Sequence, residues 1–160
     1  MINQLYEIQY ELNDRILKKH NLVEEELLND RFLAFFVELG ELANETRCFK
    51  YWSLKGPSEK EVIMEEFSDG IHFLLTIGLT LDRPHLEFYQ QESDQSLTEL
   101  FLSIYNDANI VRSLGSKFVY VRMFNTFMLI AKALDFNEED VYNSYMRKNK
   151  INHQRQDDGY

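Results

Sequence analysis

Two acidic motifs at helical spacing constrain this chain more than any other feature. Glu38-x-x-Glu41 lies in the run ELGELANE, and Glu66-x-x-Asp69 lies in the run EEFSDG. At about 100° per residue, positions three apart share one helix face. Phe35, Phe36, Leu39 and Leu42 surround the first pair, and the apolar run IHFLL follows the second. Both helices are therefore too apolar to lie free in water. Packed side by side, they would gather four carboxylates. Like charges cannot be buried together without something positive between them. Mg²⁺ takes oxygen ligands and works alongside phosphates, so it is the economical partner. The pair points to metal-assisted phosphate chemistry. Either motif alone also reads as a solvated helix face.

The rest of the chain favours helices. Two prolines and six glycines in 160 residues imply long regular elements and short connections. A chain that is 44% hydrophobic is not a disordered segment, and its length suits one domain with a real core. The expected fold is all-α, a bundle of five to six helices. A net charge of −10 disfavours a nucleic-acid backbone as the main partner, though not a small anion such as a nucleotide. Cys48, the single cysteine, suits a reducing, cytoplasmic compartment and reads as a buried or half-buried small hydrophobe. Neither a signal peptide nor a membrane span is expected.

Apolar spacing predicts a first helix over Ile2 to Lys19. Asn21, with Glu24 three residues on, is a candidate capping box for a second stretch reaching Thr46, with a break near Asn29-Asp30. Arg47 to Gly56 reads as an aromatic loop. Pro57-Ser58, with Glu61 following, predicts a helix start, and Asp82-Arg83-Pro84 its stop. His85 to Gln95 is the longest expected loop. Ser96 with Glu99, and Asn137 with Asp140, are further capping boxes, and Gly115 is a candidate C-terminal cap. A helix over Lys117 to Leu134 carries Phe118, Phe124, Phe127 and Met128, which suit either core or interface. The last helix is expected to end near Lys148, and the residues after it show no clear element.

Gly40 and Gly70 sit beside the acidic motifs, where close approach near metals or ordinary helix packing would explain them. Glu65 is a further candidate ligand or a solvated residue. His72 reads as packed rather than ligating. The C-terminal stretch reverses the charge of the chain, with Arg147, Lys148, Lys150 and Arg155 and no acid between them. One reading is a frayed basic end. The other is a phosphate clamp, with Arg155 as a bidentate donor, Lys148 as a mobile charge, Asn149 and Asn152 as polar contacts, and Tyr160 as a ring for sugar or base.

These residues resemble the dimeric all-α deoxyuridine triphosphatases, within the all-α nucleoside triphosphate pyrophosphohydrolases that include MazG-type enzymes. The two acidic motifs carry only the wider resemblance. The C-terminal YMRKNKINHQRQDDGY, the segment Gln9 to Asn13, and FKYWSLKG with Trp52 carry the closer one. The resemblance implies hydrolysis of dUTP, and of dUDP, to dUMP by attack at the α-phosphorus. It implies that Glu38, Glu41, Glu66 and Asp69 hold Mg²⁺, with Glu41 and Glu38 orienting or deprotonating the attacking water. It implies that Lys148, Asn152, Arg155 and Tyr160 contact the nucleotide, that Gln9, Asn13 and Trp52 form the uracil pocket, and that the chain pairs as a homodimer. On this reading residues 1–160 form one domain, and residues 149–160 are a tail that closes over the substrate. An amide at Gln9 or Asn13 can donate to a uracil carbonyl. A relative acting on dCTP or on many nucleotides, and a non-catalytic helical interaction protein, are the rival readings.

Overall fold

The computed structural model of the chain describes residues 2–88 and 92–159. Among them are six α-helices: α1 Leu5–His20, α2 Leu28–Thr46, α3 Lys60–Thr80, α4 Leu97–Leu114, α5 Lys117–Ala133 and α6 Glu138–Asp158. No strand occurs among the described residues, and the fold is the expected all-α bundle. None of these helices is long and apolar enough to cross a membrane.

The bundle is built around α3. Helices α1, α2, α5 and α6 all pack on it, while α4 pairs with α5 and touches α2. Ile63, Phe67, Ile71, Leu74, Leu75 and Ile77 of α3 are all buried. From Gly70 to Gly78 every residue but Phe73 is buried, as suits a helix in the middle of a bundle. Aromatic rings tie the neighbours together. Phe67 stacks on Phe127 of α5 at 4.5 Å, and Phe127 meets Phe35 of α2 at 6.3 Å. Cys48 is half-buried and packs against this core.

Local chemistry explains most boundaries. Ser96 with Glu99 and Asn137 with Asp140 form complete capping boxes, each satisfying a free N–H at a helix start. Gly115 closes α4 in the left-handed region at φ 61°.

Three expectations need correction. Asn21 is not the cap of a second helix. It is the left-handed end of α1 at φ 50°, with its N–H bonded to Leu17 and Lys18 carbonyls. Asn tolerates that backbone, so the same residue type serves either end of a helix. The chain then makes a 3-10 turn at Glu24–Glu26 and starts α2 directly after Leu27. Ser58 does not cap α3. Its hydroxyl bonds the Glu45 carboxylate at the end of α2, and α3 starts after Glu59 with no side-chain cap. Finally, α6 does not end near Lys148. It runs to Asp158 and closes at Gly159, φ 80°. Polar contacts with α1 hold this last stretch: Arg15 pairs with Asp157, and His20 meets Gln156 at 3.1 Å. Apolar periodicity carries no trace of such contacts.

The glycines beside the acidic motifs serve helix packing. A Cβ on Gly70 would lie 2.7 Å from Cζ of the Phe127 ring. Gly40 faces the Tyr105 hydroxyl. Alanine normally favours a helix by about 1 kcal/mol over glycine. At Gly70 the clash with a fully buried ring outweighs that gain. Gly70→Ala is expected to destabilise the fold by about 1–3 kcal/mol, read from urea unfolding. An unchanged or raised midpoint would contradict this packing account.

Candidate active site

Packing of α2 against α3 gathers the acidic motifs. Carboxylate oxygens of Glu38, Glu66 and Asp69 lie within 4.8 Å of one another. Glu41 lies close enough to add to the electrostatic pressure on Glu38. Crowding and burial push Glu38, Glu66 and Asp69 toward their protonated forms. Burial is the main cause at Glu38, followed by the charges of Asp69, Glu41 and Glu66, and its pKa rises to about 7. Glu66 rises to about 6, again through burial first and then Glu41 and Asp69. Asp69 is raised by burial, with Lys148 opposing the shift. An all-oxygen, half-buried, mutually repelling set of donors fits a hard divalent cation such as Mg²⁺.

Lys148 on α6 answers part of this repulsion. Its Nζ lies 2.7 Å from Asp69 Oδ2 and 3.1 Å from Glu65 Oε1. Burial pulls the Lys148 pKa down, but the bonds to Asp69 and Glu65 more than offset it and leave it raised. Glu65 is otherwise exposed and does not join the cluster of three carboxylates.

A cleft of about 430 Å³ opens beside the acids. Glu38 and Asp69 line one part, Gln9 and Asn13 of α1 another, and Asn152 and Arg155 of α6 a third. Gln9 is buried in a polar network. Its Oε1 lies 2.8 Å from His72 Nδ1 and 2.9 Å from the Tyr145 hydroxyl. Its Nε2 lies 2.9 Å from Asn13 Oδ1. His72 is buried, as expected, and burial drops its pKa to about 3, so the ring is neutral.

Six of the residues picked out by sequence therefore share one cleft: Gln9, Asn13, Glu38, Asp69, Asn152 and Arg155. Glu66 and Glu41 adjoin it through the acidic cluster. Lys148 reaches Asp69 from the side of Ser144 and Arg147. Trp52 is not brought to the cleft within the protomer. It is 63% exposed in the loop after α2, edge-on to Tyr51 at 5.1 Å and to Phe49 at 5.9 Å. Tyr160 lies outside the described residues.

Sequence reasoning missed Thr76 and Tyr145 as parts of this polar network. A signal was present. Gln9 and Asn13 on α1, and His72 and Thr76 on α3, are polar pairs four apart on otherwise apolar faces. Matched polar pairs on two helices are the pattern of a buried network.

A family model described as dUTPase matches residues 1–160 of the chain. A search of curated proteins finds no match.

The raised carboxyls predict how stability depends on pH. A group that binds its proton more tightly when folded stabilises the protein below its unfolded pKa, and that stability is lost as pH rises through the folded value. Without divalent cations, the melting temperature should therefore fall between pH 4.5 and about 7, the window set by Glu38. Glu38→Gln should remove part of that fall and melt about 2–4 °C above wild type at alkaline pH. Mg²⁺ should stabilise the wild type but not Asp69→Asn. A flat profile in calorimetry would remove the crowding account.

Proposed function

The chain belongs to the dUTPase family, and on that premise we propose that it hydrolyses dUTP to dUMP and pyrophosphate, and dUDP to dUMP and phosphate. The observation that carries this reading is the cleft that runs from Glu38 and Asp69 to Gln9 and Asn13. One end suits a cation and phosphates, and the other suits the polar edge of a base.

Glu38, Glu66 and Asp69, with Glu41 beside them, are the residues that would hold Mg²⁺. When bound, the ion supplies positive charge to the phosphate oxygens and brings water acidity near neutral pH. Glu41 orients the attacking water or takes its proton at a carboxylate oxygen, with Glu38 sharing that work. Arg155 reaches the phosphates from α6 as a planar two-pronged donor, and Asn152 adds a polar contact. Lys148 holds Asp69 through a charge-assisted bond. With Asp69 engaged elsewhere, the Lys148 ammonium would be free to turn toward the phosphates. Gln9 and Asn13 read the base. Trp52 and Tyr160 complete the substrate contacts in this reading, with residues 149–160 closing over the nucleotide.

A homodimer is part of the same reading. Leu33 and Leu102 are each 63% exposed, and Leu114 and Phe118 each 76%. Pairing of two protomers would cover such side chains.

Turnover of dUTP, dCTP, dTTP and UTP, with Mg²⁺ and with EDTA, tests the reading. Mg²⁺-dependent release of dUMP and pyrophosphate, with dUTP strongly preferred, is expected. Equal use of dCTP, or turnover indifferent to EDTA, would sink it. Glu41→Gln should lower kcat by about 100-fold or more while nucleotide binding persists.

A further inference from the structure

Gln9 is 3% exposed, and three helices fix its amide. His72 Nδ1 from α3 and the Tyr145 hydroxyl from α6 both approach its oxygen, at 2.8 and 2.9 Å. Asn13 Oδ1 approaches its nitrogen at 2.9 Å. The Thr76 hydroxyl lies 3.3 Å from Asn13 Oδ1 and 3.3 Å from its Nδ2. The Tyr145 and His72 rings stack at 4.2 Å and 20°.

This network has two self-consistent polarities. In the first, His72 Nδ1–H and Tyr145 O–H donate to Gln9 Oε1, and Gln9 Nε2–H donates to Asn13. In the second, the Gln9 amide is reversed and donates to a bare His72 Nδ1, whose ring then carries its proton on Nε2. His72 Nε2 decides between them. It is buried and meets no partner at hydrogen-bond geometry among the described residues, although the Tyr145 backbone carbonyl lies near the ring. A bare nitrogen there leaves one lone pair unused. A proton there buries an orphaned N–H donor, and orphaned donors are rarer than under-used acceptors. The first polarity is therefore favoured, with neutral His72 protonated on Nδ1.

We propose that His72 and Tyr145 are positioning residues that lock the Gln9 amide with its oxygen turned inward. The cleft is thereby presented with amide donors, Gln9 Nε2–H and Asn13 Nδ2–H, which donate to a base carbonyl and leave a base amine unpaired. This rests on the nucleotide-hydrolase reading above and deepens it. Uracil carries a carbonyl where cytosine carries an amino group. An amino group against locked amide donors leaves donor facing donor. An unlocked glutamine can turn its oxygen to meet the amine. Discrimination thus comes from the lock and not from the glutamine alone.

The test is the ratio of kcat/KM for dUTP over dCTP in the wild type, Tyr145→Phe, His72→Leu and His72→Asn. Tyr145→Phe keeps the ring stacked on His72 and deletes one donor. His72→Leu deletes the other. His72→Asn retains an N–H close to the Nδ1 position. Tyr145→Phe and His72→Leu should each narrow the ratio about tenfold, chiefly through KM, while His72→Asn keeps most of it. Imidazole ¹⁵N spectra of the free protein, with His72 assigned from His72→Asn, should show the Nδ1–H tautomer. With a selective wild type, unchanged ratios, equal losses on both substrates, or an Nε2–H tautomer would overturn the lock and leave dUTP hydrolysis standing. A wild type that does not prefer dUTP over dCTP would instead overturn the reading beneath it, and the selection role with it.

Discussion

Glu38, Glu66 and Asp69 bring carboxylate oxygens within 4.8 Å of one another in a half-buried setting. That repulsion is the constraint around which the bundle is arranged. Burial alone would drive these groups to hold protons, and their raised pKa values record the pressure. Lys148 relieves part of it from α6. The acidic helices α2 and α3 and the basic end of α6 are thus parts of one electrostatic unit. The same unit offers a divalent cation a candidate set of oxygen donors.

The position of α6 follows from a second set of polar contacts. Its last turns carry little apolar surface and are held against α1 through Arg15, Lys19 and His20. Docking there places Asn152 and Arg155 on the cleft and Tyr145 on Gln9. Each surface ion pair is worth little by itself. Together with the buried Tyr145 and Lys148 they fix the helix that completes the cleft. In the same way, Gly70 and Gly78 let rings of α5 and α1 close on α3, so the central helix can hold both core and cleft residues.

Much of this was legible along the chain. The capping boxes at Ser96 and Asn137 stood out because Ser, Asn, Glu and Asp at those spacings satisfy free N–H groups locally. The acidic motifs stood out because charge at helical spacing amid apolar residues is costly without a partner. Asn21 was misread because a residue tolerant of the left-handed backbone suits either end of a helix. Ser58 was misread because its partner, Glu45, lies on another helix. The length of α6 was missed because polar docking leaves no hydrophobic period to read.

Sequence by itself determined the helical class, most helix starts and stops, and the chemical character of the site. Those depend on neighbours within a turn or two, where spacing fixes geometry. Only the tertiary structure decided that Glu66 and Asp69 meet Glu38, that Lys148 is spent on Asp69, and that Trp52 stands away from the cleft of its own protomer. It alone joined His72, Tyr145 and Thr76 to the Gln9–Asn13 pair. Those contacts link residues from helices far apart in the chain. Their distances follow from how the helices pack around α3, which no local spacing encodes.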